Sequence, residues 1–181
     1  MPADPVPDVI AEPFRILGID PGLQVTGYAV LEVRPLRPHV CEAGIIKSAD
    51  GRGTTDLAPR LRSLYDGILE VVEQYRPQVV AVEQLYSHYD HPRTAILMAH
   101  ARGVIVLAAA QREVPVFGYA AARIKKTLTG SGKAPKDQIQ HAIRTELRLD
   151  RLPEPHDVAD ACAVALCHFH ISRNRRGLGR I

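Results

Sequence analysis

Apolar and polar positions change period along this chain, and the changes mark out a mixed α/β fold. In Arg15–Ile19, Thr26–Val33 and His39–Lys47 the apolar residues come in short runs and alternations. These read as three consecutive strands with short connections, an antiparallel meander. The period then lengthens to 3.6. Leu57, Leu61, Leu64, Ile68, Val71 and Val72 recur at helical spacing and predict a helix ending near Tyr75. Pro77 restarts the chain, and Gln78–Val82 reads as a short β-branched strand that ends on Glu83. Pro92 opens a helix running to about Arg112. Its stretch Val104–Ala110 is apolar nearly all round, so it must be covered on more than one side. Val114–Phe117 reads as a fifth strand. Helices follow over Ala120–Leu128, over Pro135–Leu147 and from His156 to about Ser172. The order β-β-β-α-β-α-β-α-α-α predicts a mixed five-stranded sheet, meander plus parallel strands, with helices on both faces.

At 181 residues the chain fits one domain with a sizeable core. The opening MPADPVPDVIAEP is Pro-rich and acidic and lacks the basic and apolar regions of a secretory signal. Residues 1–13 are expected to be a disordered extension, 14–172 the folded domain and 173–181 a basic tail. No run of eighteen purely apolar residues occurs, so no membrane span is expected. Cys41, Cys162 and Cys167 match no zinc spacing and cannot all pair within one chain. They read as reduced thiols of a cytoplasmic protein.

The net charge of +3 is modest, but its distribution is uneven. Arg123, Lys125, Lys126, Lys133 and Lys136 fall between Ala120 and Lys136 with no acid among them, and Arg173, Arg175, Arg176 and Arg180 follow Ile171 in the same way. Against these basic segments stand acids at structured positions. Asp20 ends the strand of RILGIDPG, where Pro21 and Gly22 turn the chain at once, and Glu83 ends VVAVE in the same manner. If those two strands are parallel neighbours, both carboxylates emerge at one sheet edge. Asp157 and Asp160 lie three apart and so share one helix face. The other stripe of that helix, Val158, Ala161, Cys162, Ala165 and Phe169, is apolar and small enough to pack close to the sheet. Four carboxylates on apolar elements are costly unless positive charge meets them. Hard oxygen donors of this kind suit Mg²⁺ or Mn²⁺, and a polyanion laid across such a centre suits the basic segments. Taken singly, each acid has a plainer use: Asp157 as a helix cap, Glu83 in an ion pair, Asp20 in an Asx turn with Gly22.

In order along the chain, ILGIDPGLQVTGYAV, VVAVEQLY, ARGVIVLAAA, KKTLTGSGKAPKDQIQ and DVADACAVALCH resemble segments of the RuvC family. These are bacterial Holliday junction resolvases of the ribonuclease H-like superfamily. The resemblance runs from about Arg15 to Ser172. It implies a ribonuclease H-like fold and a metal-dependent endonuclease of DNA recombination and repair. Such an enzyme makes paired symmetric nicks in a four-way junction and leaves 5′-phosphate and 3′-hydroxyl ends. By position, Asp20, Glu83, Asp157 and Asp160 match the catalytic, metal-binding acids, with two Mg²⁺ or Mn²⁺ ions implied per site. Some family members carry His at the third acid position. Here His156 precedes Asp157, and register with ADACAVA makes Asp157 the match. Tyr86 takes the place of a family Phe that inserts at the junction and stacks on bases. Lys125 and Lys136 match family basic positions near the site, with Arg123, Lys126 and Lys133 as supporting DNA contacts. A homodimer and cooperation with the RuvA–RuvB branch-migration complex are implied as well. The over-apolar helix from Ala95 to Ala110 is the candidate dimer element, a central core helix of a monomer being the other reading of its composition.

Three other readings share some of these features. A junction-binding protein without catalysis would use the basic segments but would not need four acids at one site. An actin-like or sugar-kinase phosphotransferase would use the GIDPG turn, but it needs a second phosphate-binding half. A ribonuclease H-like enzyme acting on RNA would keep the metal site and change only the substrate's shape.

Overall fold

The computed structural model describes residues 13–35, 37–48, 56–84 and 92–177. Five strands form one sheet: β1 (Arg15–Asp20), β2 (Val25–Val33), β3 (Pro38–Lys47), β4 (Val79–Gln84) and β5 (Val116–Ala120). Their order across the sheet is β3-β2-β1-β4-β5. The first three strands pair antiparallel, while β4 pairs parallel to β1 and β5 parallel to β4. The helices are α1 (Leu57–Tyr75), α2 (Pro92–Ala110), α3 (Ala121–Thr129), α4 (Lys136–Leu147) and α5 (His156–Gly177). This is the expected meander followed by βα units.

Strand alternation divides the core into two layers. Leu17, Ile19, Val30, Val80 and Val82 point to one face and pack with Leu64, Ile68, Val71 and Val72 of α1 and Ala101, Ile105, Ala108 and Ala109 of α2. Ile16, Ala29, Leu31, Val79 and Ala81 point to the other and pack on α5, with Ile124 of α3 and Ile139 and Ile143 of α4 closing that layer. Helices therefore cover both faces. α5 lies across β1 and β2 and is buried without a break from Ala161 to Phe169, on more sides than the one apolar stripe read from sequence.

Several element boundaries differ from the sequence reading. The fifth strand starts at Val116, not Val114, because the Val114 N–H closes onto the Ala109 carbonyl in the turn after α2. Pro115 has no N–H to give a ladder, although its carbonyl accepts from Val80. α2 stops at Ala110, and a turn with Glu113 at φ 55° follows where the apolar spacing predicts helix to about Arg112. α5 continues beyond Ser172 to Gly177.

Candidate active site

The period of 2 that builds the two layers also aims the first two acids. Asp20 follows Ile16 and Gly18 on the α5 side of β1, and Glu83 follows Val79 and Ala81 on the α5 side of β4. The parallel register Ile19↔Val82 brings both strands to the same end of the sheet, so the two carboxylates leave it side by side. The turn after β1 does not use Asp20. Thr26 closes it instead: its hydroxyl donates to the Gly22 carbonyl at 2.6 Å and accepts from the Gly22 N–H at 3.2 Å.

Two glycines bring the second pair of acids to the first. Gly27 of β2 is the cross-strand partner of Asp20, and the backbone of Asp157 rests on it. A Cβ at residue 27 would stand 2.0 Å from the Asp157 carbonyl oxygen. One α5 turn further, Gly18 accepts Ala161 and Ala165; a Cβ there would lie 2.3 Å from the Ala161 oxygen. The N-terminal turn of α5 thus lies directly on the strand ends, and Asp157 and Asp160 face Asp20 and Glu83.

The electrostatics follow from this convergence. Burial pushes the Asp20 carboxyl up to about 7, and the charges of Glu83, Asp160 and Asp157 add to the shift while Lys136 opposes it. Burial also raises Glu83, with Asp160 adding and Lys125 opposing. It raises Asp160 too, although Lys136, His156 and Lys125 all pull it down. The Lys136 ammonium lies 4.0 Å from an Asp160 oxygen, and both side chains remain about half exposed. Lys125 and Lys136 line a 290 Å³ cleft with Glu83 and Asp160. Arg123, Lys126 and Lys133 lie outside that lining. Tyr86 lies outside the described residues.

Among the described residues, no three acid, His or Cys side chains are gathered tightly enough to hold an ion as they stand. The donor set still fits one. It consists of carboxylate oxygens alone, and two lysines face four acids. Burial first, and the unrelieved repulsion second, hold Asp20 raised, and a cation would lower it. Oxygen-only donors are the set that Mg²⁺ and Mn²⁺ prefer.

The model of the family described as "Crossover junction endodeoxyribonuclease RuvC" matches residues 16–168. The chain belongs to the RuvC family. A Rhodopirellula baltica member is 53% identical over 159 residues, covering 88% of each chain. One from Legionella pneumophila is 40% identical over 92% of this chain and 91% of its own. Among solved structures, Thermus thermophilus RuvC in complex with Holliday junction substrate superposes with a TM-score of 0.81 at 30% identity, covering 88% of this chain and 95% of that one. The ribonuclease H-like fold expected from the RuvC resemblance is thereby borne out. Sequence reasoning passed over Gly18 and Gly27, although a glycine inside each of two core strands is the usual signal of close backbone approach.

Proposed function

We propose that this RuvC-family chain is a structure-selective endonuclease that resolves four-way Holliday junctions in DNA recombination and repair by divalent-metal-dependent phosphodiester hydrolysis. The observation that carries the reading is Asp20, held at a sheet end in the field of three other carboxylates. A stability-minded sequence has no use for that arrangement.

Asp20, Glu83, Asp157 and Asp160 are the catalytic and metal-holding residues in this reading, with room in the donor count for two Mg²⁺ or Mn²⁺ ions. Held by these carboxylates, such ions would supply activation of a water and charge stabilisation for the leaving 3′ oxygen. The rest falls to the chain's own groups. Lys125 and Lys136 take the oxygens of the phosphate beside the acids and hold it in line with them. Tyr86 stacks on a base at the branch point. Arg123, Lys126 and Lys133 add phosphate contacts further out. Residues 14–172 are the nuclease domain, flanked by the extension 1–13 and the basic segment 173–181.

Paired cuts need two sites related by the substrate's own two-fold symmetry, which an isologous homodimer supplies. α2 is the surface for it. By length and composition its Arg93–Ala110 stretch could cross a membrane, yet one stripe of it packs into the core while Ile96 and Leu107 stay 58% and 52% exposed. A second copy covering that apolar stripe accounts for its composition. Cooperation with a RuvA–RuvB complex belongs to the same reading, as does a cytoplasmic location, which suits the free thiols Cys41, Cys162 and Cys167.

The test is a panel of labelled substrates in Mg²⁺ or Mn²⁺: a mobile four-way junction, a matched linear duplex and an RNA–DNA hybrid. Symmetric ligatable nicks confined to the junction are expected. Cleavage of the hybrid instead would move the chain to an RNA-directed nuclease, and binding without cutting in either metal would make it a non-catalytic junction binder.

A further inference from the structure

The acids are bordered by two clefts, and the function above uses only one. The first, between α3, α4 and α5, holds Lys125 and Lys136 beside Glu83 and Asp160. The second opens on the α1–α2 side of the same sheet end and measures about 500 Å³. Asp157 forms one wall, the turn Gly22–Val25 another, and Leu97 and Met98 of α2 supply apolar surface. The basic group lining it is Arg60, from the first turn of α1.

Arg60 is under-used where it stands. One Nη donates to the Leu23 carbonyl at 3.1 Å. The Ser48 hydroxyl already donates to that same oxygen, so the turn does not depend on Arg60 alone. Its Nε is buried and has no hydrogen-bond partner among the described residues. None of the ion pairs among the described residues involves Arg60 either. A guanidinium has five donors and is costly to desolvate without an anion. As a mere clip for a turn, a neutral amide would serve with less penalty.

We propose that the Arg60 cleft is a second strand-binding site that takes the backbone phosphate next to the scissile one. The cut strand then runs from the Lys125–Lys136 cleft, across the acids, and into the Arg60 cleft. Arg60 grips the flanking phosphate, and Leu97 and Met98 meet the sugar or base behind it. Basic groups on both sides of the acids fix the strand at two points, which orients the phosphodiester between them. Arg60 is a binding and positioning residue in this scheme and takes no part in the chemistry. The inference rests on the junction-nuclease reading.

The test measures four-way junction binding by the Asp20→Asn protein in chelator, with and without Arg60→Gln, across a range of salt. Arg60→Gln retains a donor for the Leu23 carbonyl and removes the charge. Binding is expected to weaken roughly tenfold, and the slope of log affinity against log salt to become shallower by about one. A neutral methylphosphonate at the phosphate beside the cut is expected to weaken binding by the protein that keeps Arg60. It should leave binding by the Arg60→Gln protein unaffected. If Arg60→Gln proves unstable, the methylphosphonate decides with the parent alone: loss of affinity at the phosphate beside the cut supports the proposal, and no loss overturns it. An unchanged slope, with both proteins equally sensitive to the methylphosphonate, would reduce Arg60 to a structural clip and overturn it. Failure of the parent to prefer the junction over linear duplex would instead overturn the functional reading, and this proposal with it.

Discussion

Asp20 is the residue on which the site turns, and its raised pKa makes a prediction with a definite sign. The folded state holds this proton up to about 7, whereas an ordinary aspartate releases it near 3.8. The unfolded chain therefore binds fewer protons between those values, and the metal-free protein loses stability as pH rises from about 4 through 7. Asp20→Asn removes that loss. In chelator the variant should match the parent near pH 4 and exceed it at pH 8 by on the order of 2 kcal/mol, after discounting for partial exposure. Thermal melts across pH check this. A parent as stable as the variant at pH 8 would mean that neither burial nor the neighbouring acids penalise the Asp20 charge. Divalent metal should reverse the order by stabilising only the parent, and that gain should fade as pH falls below 7 and protons compete for Asp20.

At the scale of elements, the site depends on how closely α5 lies on β1 and β2. Gly27→Ala sets a methyl against the Asp157 carbonyl and must lift the first turn of the helix. We expect a loss of about 1–3 kcal/mol of stability, read as a lowered Tm, together with weakened metal binding by titration calorimetry. Unchanged metal affinity would show that Asp157 does not need this seat. Gly27 and Gly18 also mark the limit of what is legible in the sequence. Strand-end acids announce themselves, since Asp20 precedes Pro21 and Gly22 and Glu83 closes an apolar run. The pair Asp157 and Asp160 follows from helical spacing alone. The boundaries of α1 are equally plain, because its apolar period is unbroken from Leu57. What stays hidden depends on contacts between distant segments. The start of β5 hangs on where Val114 finds its partner, and the depth of α5 hangs on glycines in other elements. Arg60 is invisible for a related reason: one arginine in an amphipathic helix looks like solvent-facing charge until the turn after β1 folds over it.

For the whole molecule, the exposed apolar side of α2 predicts an assembly. Leu107 lies in the last turn of α2 and is more than half exposed, so Leu107→Glu leaves the monomer's own core intact and places a charge on the face proposed for the second copy. We expect this variant to run as a monomer by light scattering at concentrations where the parent is a dimer, and to lose paired cutting of junctions. A Leu107→Glu protein that remains dimeric would move the interface elsewhere.

We propose that four carboxylates at one sheet end form the hydrolytic centre for four-way junctions. Cleavage and binding of one labelled junction, measured side by side for the parent and Asp20→Asn in Mg²⁺, test it most directly. The account predicts that the variant binds the junction at least as tightly as the parent and cuts it roughly a thousandfold more slowly or worse, a loss of about 4 kcal/mol of transition-state stabilisation. Cutting by Asp20→Asn at the parent's rate would contradict it.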